Sequence, residues 1–265
     1  MKTVIIRGGL GNQLFGLAFA DTVAHISGEP VRLDLSFYEN DPHGRVFETA
    51  DLARDYGLDM SAGDPPQPPS LLRKIFPRPP VRILEPSTPV AAGSLAPMIH
   101  KGEVFDGYWQ NARWFDRPDF IREQTRVFLD RLGGGAARHD VVIHHRIYNE
   151  ERLAHRNGVP AGSYFKGALD ELDMVFGPVT DIALISNSPE LREGHLGQYR
   201  HSTTRYIGAP EADMALMLNA RLLVLSNSSF SWWGGYCSDA KAVIYPRQNH
   251  YFHYPIPPPS FRLVK

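Results

Sequence analysis

Short apolar runs alternate along the chain with longer segments of helical periodicity. Six runs have the length of strands: residues 4–6, 31–35, 140–144, 181–186, 222–225 and 242–245. Several are continuously apolar, which is typical of strands covered on both faces of a parallel sheet. Helix-spaced apolar residues lie between them, at 13–26, 163–175 and 211–219. The alternation predicts an α/β fold with crossover helices.

Two segments interrupt this pattern. Prolines crowd into residues 61–97, which predicts irregular or extended structure there. The glycine-rich run at 133–137 has the composition of a flexible linker. It divides the chain into two α/β halves, 1–132 and 138–265, and two such halves suggest a cleft between domains.

Composition limits the function classes. The 265 residues suffice for one large or two smaller α/β domains, and a net charge of −1 gives no indication of nucleic-acid binding. The single cysteine, Cys237, excludes an internal disulfide and a cysteine zinc cluster. The first apolar run is too short for a signal peptide, and no run approaches the roughly 20 apolar residues of a membrane span. We expect a soluble, cytoplasmic protein.

The most informative stretch follows the apolar run 222–225. Residues 226–233 read Ser-Asn-Ser-Ser-Phe-Ser-Trp-Trp, which predicts a strand end, a turn and a new helix whose free N–H groups can bind an anion. Asn227, Ser228 and Ser229 add polar side chains, so we interpret the cluster as a phosphate site. The alternative is a helix cap followed by core aromatics, and for Trp232 and Trp233 the core interpretation is the stronger.

A second polar turn follows the first strand. Residues 8–15 read Gly-Gly-Leu-Gly-Asn-Gln-Leu-Phe; Gly9 and Gly11 would let the backbone approach a ligand. Asn12 and Gln13 suit hydrogen bonds to a hydroxyl-rich ligand, or they cap the helix. A dinucleotide fingerprint needs a third glycine where Leu14 stands, so that match is weak.

The run His144-His145-Arg146 ends the strand predicted at 140–144. Ligands of open α/β sheets bind at the carboxyl ends of the strands. Arg146 can hold a phosphate through its fork of donors, and a histidine can read a base edge or transfer a proton. Adjacent strand residues point to opposite faces, so both histidines should not face one ligand. No carboxylate lies at ligand spacing from the pair, so no metal site is predicted.

Residues 71–84 carry Arg73, Lys74, Arg78 and Arg82 among apolar side chains and no acid. One interpretation is a loop on an anionic membrane surface, each basic residue contributing about 1 kcal/mol. The other is a solvated loop that its apolar residues anchor to the protein.

Several motifs together resemble the family 11 glycosyltransferases, the bacterial α-1,2-fucosyltransferases and their relatives. Residues 8–15 look like the family's opening motif, and 226–233 match its Ser-Asn-Ser-Thr-Phe-Ser-Trp-Trp almost residue for residue. Gly-Tyr-Trp-Gln at 107–110 with Phe115, Arg-Val-Phe-Glu at 45–48 and Ser-Tyr-Phe at 163–165 are further similarities.

The resemblance implies a GT-B-like α/β architecture of two Rossmann-like parallel-sheet domains facing a central cleft. It implies an inverting transferase that needs no cofactor or metal and carries a nucleotide sugar, GDP-fucose in this family, on the C-terminal domain. The N-terminal domain would hold a glycan acceptor, with Tyr108, Trp109 and Gln110 as acceptor residues. Surface polysaccharide or O-antigen synthesis would be the setting. Donor residues would be Gly9, Gly11, Asn12, Gln13, His144, Arg146, Asn187, Asn227, Ser228 and Ser229.

The chain departs from the family at the donor site. The family's His-x-Arg-Arg-Gly-Asp segment keeps its histidine and first arginine as His144 and Arg146, but Ile147 and Asn149 replace the second arginine and the aspartate. Asn187 stands where a guanine-binding acid is expected. A lost contact of this kind costs about 1–3 kcal/mol unless a neighbour replaces it. The donor is therefore either GDP-fucose with a compensating contact or a different nucleotide sugar.

The sequence does not single out a general base; Glu150, Glu151, His145 and Asp106 are the candidates. Two other classes stay open. A non-catalytic relative would bind a nucleotide sugar or glycan without turnover. A Rossmann-type oxidoreductase or epimerase would explain the glycine turn but not residues 226–233.

Overall fold

Two parallel sheets, one in each of two units, organise the chain in its computed structural model. The structure describes residues 1–61, 79–87, 94–133, 138–146, 162–186, 202–206, 209–246 and 261–264. The units are Met1–Gln124 and Thr125–Lys265. Their boundary falls inside the helix Pro118–Gly133 rather than at residue 132, where the sequence suggested it. Gly133 ends that helix, and the predicted linker residues 134–137 lie outside the described residues.

The first unit has a four-stranded sheet in the order β2-β1-β4-β3. Its strands are β1 (Lys2–Ile5), β2 (Val31–Asp34), β3 (Arg82–Leu84) and β4 (Val104–Asp106). Its helices are α1 (Leu10–Ser27), α2 (Ala50–Asp55) and α3 (Leu95–Lys101), and α4 (Pro118–Gly133) begins in this unit; short 3₁₀ turns lie at Ser36–Glu39 and Ala112–Trp114.

The proline-rich segment is more regular than predicted in the part that is described. Residues 82–84 form β3, which pairs in parallel with β4. Residues 95–97 open helix α3, so the expectation of irregular or extended structure is wrong for them. Proline is tolerated there because the first turn of a helix does not need its N–H groups.

An aromatic cluster fills the core of the first unit. The rings of Phe19 and Trp109 stack with centroids 3.8 Å apart and planes inclined by 4°. Trp114 meets Trp109 edge to face at 5.3 Å, and Phe105 meets Phe19 at 5.6 Å. All four side chains are buried, so α1 is held against β4 and the turn that follows it.

The second unit has a six-stranded sheet in the order β10-β9-β8-β5-β6-β7. Its strands are β5 (Val141–His145), β6 (Asp181–Ser186), β7 (Ser202–Tyr206), β8 (Leu222–Leu225), β9 (Ala242–Pro246) and β10 (Phe261–Val264). Its helices are α5 (Gly162–Phe176), α6 (Pro210–Asn219) and α7 (Ser229–Cys237), beside the C-terminal part of α4. Every strand pair of both sheets is parallel, which confirms the predicted fold class.

The strand order reverses between the parallel neighbours β5 and β8. From β5 the chain continues through α5 to β6 on one side, and from β8 it continues through α7 to β9 on the other. Such a topological switch point opens a crevice at the carboxyl ends of the two strands, where α/β sheets bind ligands. The residues that follow β5 and β8 therefore lie where a ligand is expected.

Among the described residues, no helix has the length and apolar character that a bilayer crossing requires.

Candidate functional site

The ends of β5 and β8 are joined by a single hydroxyl. Ser226 Oγ donates to the carbonyl oxygen of His144 at 2.8 Å and accepts the backbone N–H of Arg146 at 2.9 Å. The two predicted motifs, 144–146 and 226–233, thus meet at the switch point. Ser226 itself is buried and serves the backbone, whereas Arg146 is partly exposed at the sheet edge.

Helix α7 begins immediately beyond this bridge. Ser228 occupies the N-cap in an extended conformation, and its carbonyl accepts the N–H of Trp232 at 2.9 Å. Ser229, the first helical residue, is partly exposed, while Asn227 and Ser228 are mostly buried. The first N–H groups of a helix have no partner within it and carry positive partial charge, which favours an anion at this position.

His144 is buried on the α7 side of the sheet. Its Nδ1 hydrogen-bonds Ser231 Oγ, and its ring lies 5.4 Å from that of Phe230. Burial, followed by electrostatic interactions with the Arg146 guanidinium and the His145 imidazole, lowers its pKa to about 3. The imidazole is therefore neutral at physiological pH, and it packs β5 against α7; its predicted contact with a base stays a prediction.

His145 points to the other face of the sheet, as the alternation of the strand requires. Its ring lies 4.5 Å from Phe165 of α5 and is buried. Tyr164, also in α5, donates its hydroxyl to the carbonyl of Leu225 at the end of β8, at 2.8 Å. The two histidines therefore pack against different helices, α7 and α5, on opposite faces of the sheet, and they do not face one ligand.

The three glycines of the turn after β1 differ in backbone conformation. Gly8 adopts φ of +83°, and a Cβ at that position would collide with Asn12. Gly9 is the N-cap of α1 with an ordinary φ of −83°, and its carbonyl accepts the N–H of Asn12 at 2.8 Å. Gly11 lies buried in the first turn. The positive φ therefore belongs to Gly8.

Gln13, predicted to bind the donor, is instead fully buried. Its Nε2 donates to the carbonyls of Val46 (2.8 Å) and Gly8 (3.2 Å). Its Oε1 accepts the N–H of Glu48 at 2.9 Å and the hydroxyl of Thr49 at 3.3 Å. All four contacts lie within the protein, so Gln13 fixes the glycine turn to residues 46–49 and does not face a ligand.

Asp106, at the end of β4, forms ion pairs with two arginines, Arg7 and Arg82. The sequence did not predict that these two residues meet at one carboxylate. Its Oδ1 accepts Nη2 of Arg7, and its Oδ2 accepts Nε of Arg82 at 3.1 Å as well as Nη2. Guanidinium groups hydrogen-bond both carboxylate oxygens, so Asp106 is poorly placed to take the proton of an acceptor hydroxyl. Arg7 had a detectable signal, since it lies two residues beyond β1, at that strand's carboxyl end. The three-residue strands β3 and β4 gave none.

The predicted acceptor residues separate into one core residue and two surface residues. Trp109 is fully buried against Phe19, so the prediction that it contacts an acceptor is wrong. Tyr108 is 42% exposed. Gln110 is partly exposed, and its Nε2 donates to Oδ1 of Asn12 at 2.6 Å.

The tryptophan pair of α7 is buried, as the core interpretation expected. Trp232 stacks on Tyr236 with ring centroids 4.6 Å apart, and Trp233 meets the same ring edge to face at 5.5 Å. Three predicted site residues, Glu150, Glu151 and Asn187, lie outside the described residues, as do Ile147 and Asn149. In the described part of the chain, no group of three or more His, Cys, Asp or Glu side chains could hold a metal ion.

The chain is similar to glycosyltransferases. It is 28% identical over 263 residues to an α-1,2-colitosyltransferase of Escherichia coli, with 89% of this chain and 88% of the relative covered. Its structure matches that of the α-1,6-fucosyltransferase NodZ co-crystallized with GDP, with a TM-score of 0.50, 14% identity and coverage of 94% and 96%. At that identity the structural likeness establishes the fold alone, and it agrees with the predicted GT-B-like type. No family model matches the chain.

Proposed function

We propose that the protein is an inverting, metal-independent glycosyltransferase of the family 11 type, with its nucleotide-sugar site on the second unit. The observation that carries the proposal is the meeting of Arg146 and the start of α7 at the β5/β8 switch point, through Ser226. This edge offers a guanidinium, hydroxyls and helix N–H groups to a diphosphate. The similarity to a colitosyltransferase supports the same reaction class.

The chemistry follows from that arrangement. An acceptor hydroxyl attacks the anomeric carbon, a new C–O bond forms, and the bond from that carbon to the diphosphate oxygen breaks. Arg146, Ser228, Ser229 and the first N–H groups of α7 would stabilise the negative charge of the departing diphosphate. The proton of the acceptor hydroxyl needs a base. Glu150 and Glu151 stay candidates, whereas His145 is buried under Phe165 and Asp106 is occupied by two arginines.

The donor sugar is the finer part of the proposal. We propose GDP-fucose and an α-1,2 linkage onto a glycan of a surface polysaccharide or O-antigen. The similarity to an α-1,2-colitosyltransferase supports the linkage, although the sugar in that relative's name is colitose. Ile147, Asn149 and Asn187 fit either GDP-fucose with a compensating contact or a different nucleotide sugar. A different nucleotide sugar on the same fold is therefore the alternative, and a binding protein without turnover is the other.

One of the four basic residues proposed to contact a membrane surface, in the segment 71–84, has an acidic partner within the protein. Arg82 lies in β3 and pairs with Asp106, so its charge is largely compensated within the protein. The membrane contact would rest on Arg73, Lys74 and Arg78, which lie outside the described residues.

A thermal-shift screen against GDP, UDP, CDP, ADP, GDP-fucose, GDP-mannose and NAD⁺ tests the proposal, because a ligand that binds only the folded state stabilises it. We expect GDP and GDP-fucose to raise the Tm of the wild type with or without EDTA. The Arg146→Ala variant should lose the shift, and Arg131→Ala, an exposed arginine of α4, should keep it.

The other outcomes separate the alternatives. A shift with another nucleotide and none with GDP rejects the fucose donor but keeps the transferase. A GDP shift that Arg146→Ala retains contradicts the assigned diphosphate site. Binding of GDP-fucose without release of GDP, in the presence of a panel of glycan acceptors, favours the non-catalytic relative. A response to NAD⁺ alone rejects glycosyl transfer.

A further inference from the structure

We infer that Tyr164 is a positioning residue of the proposed diphosphate site. Through the carbonyl of Leu225, its hydroxyl holds the turn between β8 and α7 in the arrangement that receives the anion. The inference deepens the proposed function and rests on it, because this turn carries Ser228 and Ser229. It concerns a residue of the Ser-Tyr-Phe motif at 163–165, to which the proposed reaction gives no role.

The hydroxyl of Tyr164 is bonded to the last residue of β8. Tyr164 lies in the first turn of α5, and its hydroxyl donates to the carbonyl oxygen of Leu225 at 2.8 Å, across 61 residues of sequence. The pairing of β8 with β9 ends one residue earlier, at Val224 and Ile244, whereas Leu225 still pairs with His144 of β5. The tyrosine therefore holds the chain where the ladder with β9 no longer does.

Successive hydrogen bonds connect Leu225 to the start of α7. The next residue, Ser226, donates its hydroxyl to the carbonyl of His144 at 2.8 Å and accepts the N–H of Arg146 at 2.9 Å. The carbonyl of Ser226 accepts the N–H of Ser228, the N-cap of α7, at 3.0 Å. A displacement of Leu225 is therefore passed to Arg146 and to the first residues of α7, which are the groups proposed to bind the diphosphate.

The first turn of α5 also holds the end of β5. Phe165 packs on the ring of His145 with centroids 4.5 Å apart, and Tyr164 meets Phe165 edge to face at 5.0 Å. His144, which points the other way, hydrogen-bonds Ser231 of α7. The carboxyl ends of β5 and β8 are thus held by α5 on one face of the sheet, while α7 packs on the other.

Packing alone does not require a tyrosine at this position. The ring of Tyr164 packs against the hydrophobic core beneath α5, and Phe176 at the far end of the same helix does so without a hydroxyl. Burial raises the pKa of the Tyr164 hydroxyl well above its ordinary value, so the group remains a neutral donor at physiological pH. A buried hydroxyl destabilises the fold unless it is bonded, and the Leu225 carbonyl provides that bond. The hydroxyl is the part of the side chain that positioning needs and packing does not.

Calorimetric titration of the full chain tests the inference with three probes: GDP, inorganic pyrophosphate and guanosine. Tyr164→Phe removes the hydroxyl and keeps the ring. We expect this variant to bind GDP and pyrophosphate about tenfold more weakly than the wild type, and guanosine equally well. Pyrophosphate has no base, so it keeps the test valid whichever nucleotide the protein prefers. Guanosine has no phosphate, so it reports a general loss of folded protein.

Tyr56→Phe is the matched control. The hydroxyl of Tyr56 donates to the carbonyl of Ile121 at 3.4 Å, so the same chemical change removes the same kind of bond within the first unit. All three affinities should equal those of the wild type. On the same samples, hydrogen exchange at the Ser228 amide should be faster in Tyr164→Phe and unchanged in Tyr56→Phe, because that N–H depends on the position of Ser226.

Three results would overturn the inference and leave the proposed function standing. They are a GDP or pyrophosphate affinity that Tyr164→Phe retains, a loss that guanosine shares or that a lower folded fraction accounts for, and a Tyr164→Phe chain that does not fold. The last two would make the hydroxyl a structural group only. A wild type that binds neither GDP nor pyrophosphate would reject the diphosphate site itself, and with it both the proposed function and the inference.

Discussion

The backbone N–H of Arg146 donates to the hydroxyl of Ser226 at 2.9 Å, across 80 residues of sequence. This bond fixes the position at which the chain leaves β5, and therefore the origin of the arginine side chain. Because Ser226 also donates to the carbonyl of His144 at 2.8 Å, one hydroxyl satisfies two backbone groups. The geometry of the proposed diphosphate site thus depends on a residue that need not touch the ligand.

Replacing this serine should lower both stability and affinity. Ser226→Ala leaves a donor and an acceptor unsatisfied at a buried position, which costs about 1–3 kcal/mol in the free energy of unfolding. The shifted Arg146 should weaken GDP binding by about tenfold. Urea unfolding and calorimetric titration with GDP measure the two effects.

Ser238→Ala is the matched control, because Ser238 is a buried serine at the other end of α7 whose hydroxyl donates to Gly235 at 3.0 Å. It should lose stability without losing GDP affinity. Equal affinity losses in both variants would mean that Ser226 acts only through general stability.

Two buried groups of the second unit should give opposite pH dependences of stability. The pKa of His144 is lowered to about 3 by burial and by nearby positive charge. Asp213 in the first turn of α6 is also buried, and within the described residues its Oδ1 has no hydrogen-bond partner. Burial, with a smaller contribution from Glu211, raises its pKa to about 7.

The signs follow from proton binding. Between pH 6.5 and 3 the unfolded state binds a proton at His144 that the folded state does not, so this group's stability is lost as pH falls below 6.5. Between pH 3.8 and 7 the folded state binds an extra proton at Asp213, so its contribution is lost as pH rises. Each slope approaches about 1.4 kcal/mol per pH unit. In the wild type they offset each other between about pH 4 and 6.5.

Single substitutions should separate the two slopes. Between about pH 4 and 6.5, the free energy of unfolding of Asp213→Asn minus that of the wild type should rise as pH rises. The corresponding difference for His144→Asn should fall as pH rises. Urea denaturation from pH 4 to 8 gives both difference curves, in which all other groups cancel. Difference curves that are flat, or that slope the same way, would contradict the assigned protonation states.

The fold was predictable from the sequence because long apolar runs coincide with buried parallel strands. The run 222–225 coincides with β8 residue for residue. Both faces of this strand are buried, so its side chains are all apolar and do not alternate with polar ones. Strands β3, β4, β7 and β10 were missed. Strands β3 and β4 have three residues each, which carry too little pattern, and β7 and β10 contain polar residues that interrupt an apolar run.

The site was predictable only in part, for a related reason. Parallel strands bring their carboxyl ends together, so the motifs after β5 and β8 were expected to meet. The burial of Gln13 could not be predicted, because three of its four partners lie in residues 46–49. No local sequence pattern connects that segment to the glycine turn. Trp109 was misassigned because its burial depends on a positive φ that the sequence Tyr-Trp-Gln does not indicate.

We expect the hydrogen bonds of Gln13 to hold the segment 46–49 in place. Gln13→Leu removes the bonds of this side chain to the Val46 carbonyl, the Glu48 N–H and the Thr49 hydroxyl, whereas the Gly8 carbonyl keeps the hydroxyl of Tyr38 at 3.1 Å. We expect a loss of about 2–4 kcal/mol and faster amide exchange at Glu48, whose N–H is bonded to Gln13 at 2.9 Å. Hydrogen exchange followed by mass spectrometry measures the effect. Val46→Ala, which trims an exposed side chain but keeps the carbonyl, should exchange like the wild type.

Adjacent residues in the turn after β4 should respond in opposite ways to truncation. Trp109 fills the core against Phe19 and Trp114, so Trp109→Ala should cost about 3–5 kcal/mol in the free energy of unfolding. Tyr108 is exposed, and Tyr108→Ala should change stability by no more than about 0.5 kcal/mol. Urea unfolding followed by tryptophan fluorescence and circular dichroism compares them. A costly Tyr108→Ala would show that the tyrosine is a structural residue and contradict its predicted contact with an acceptor.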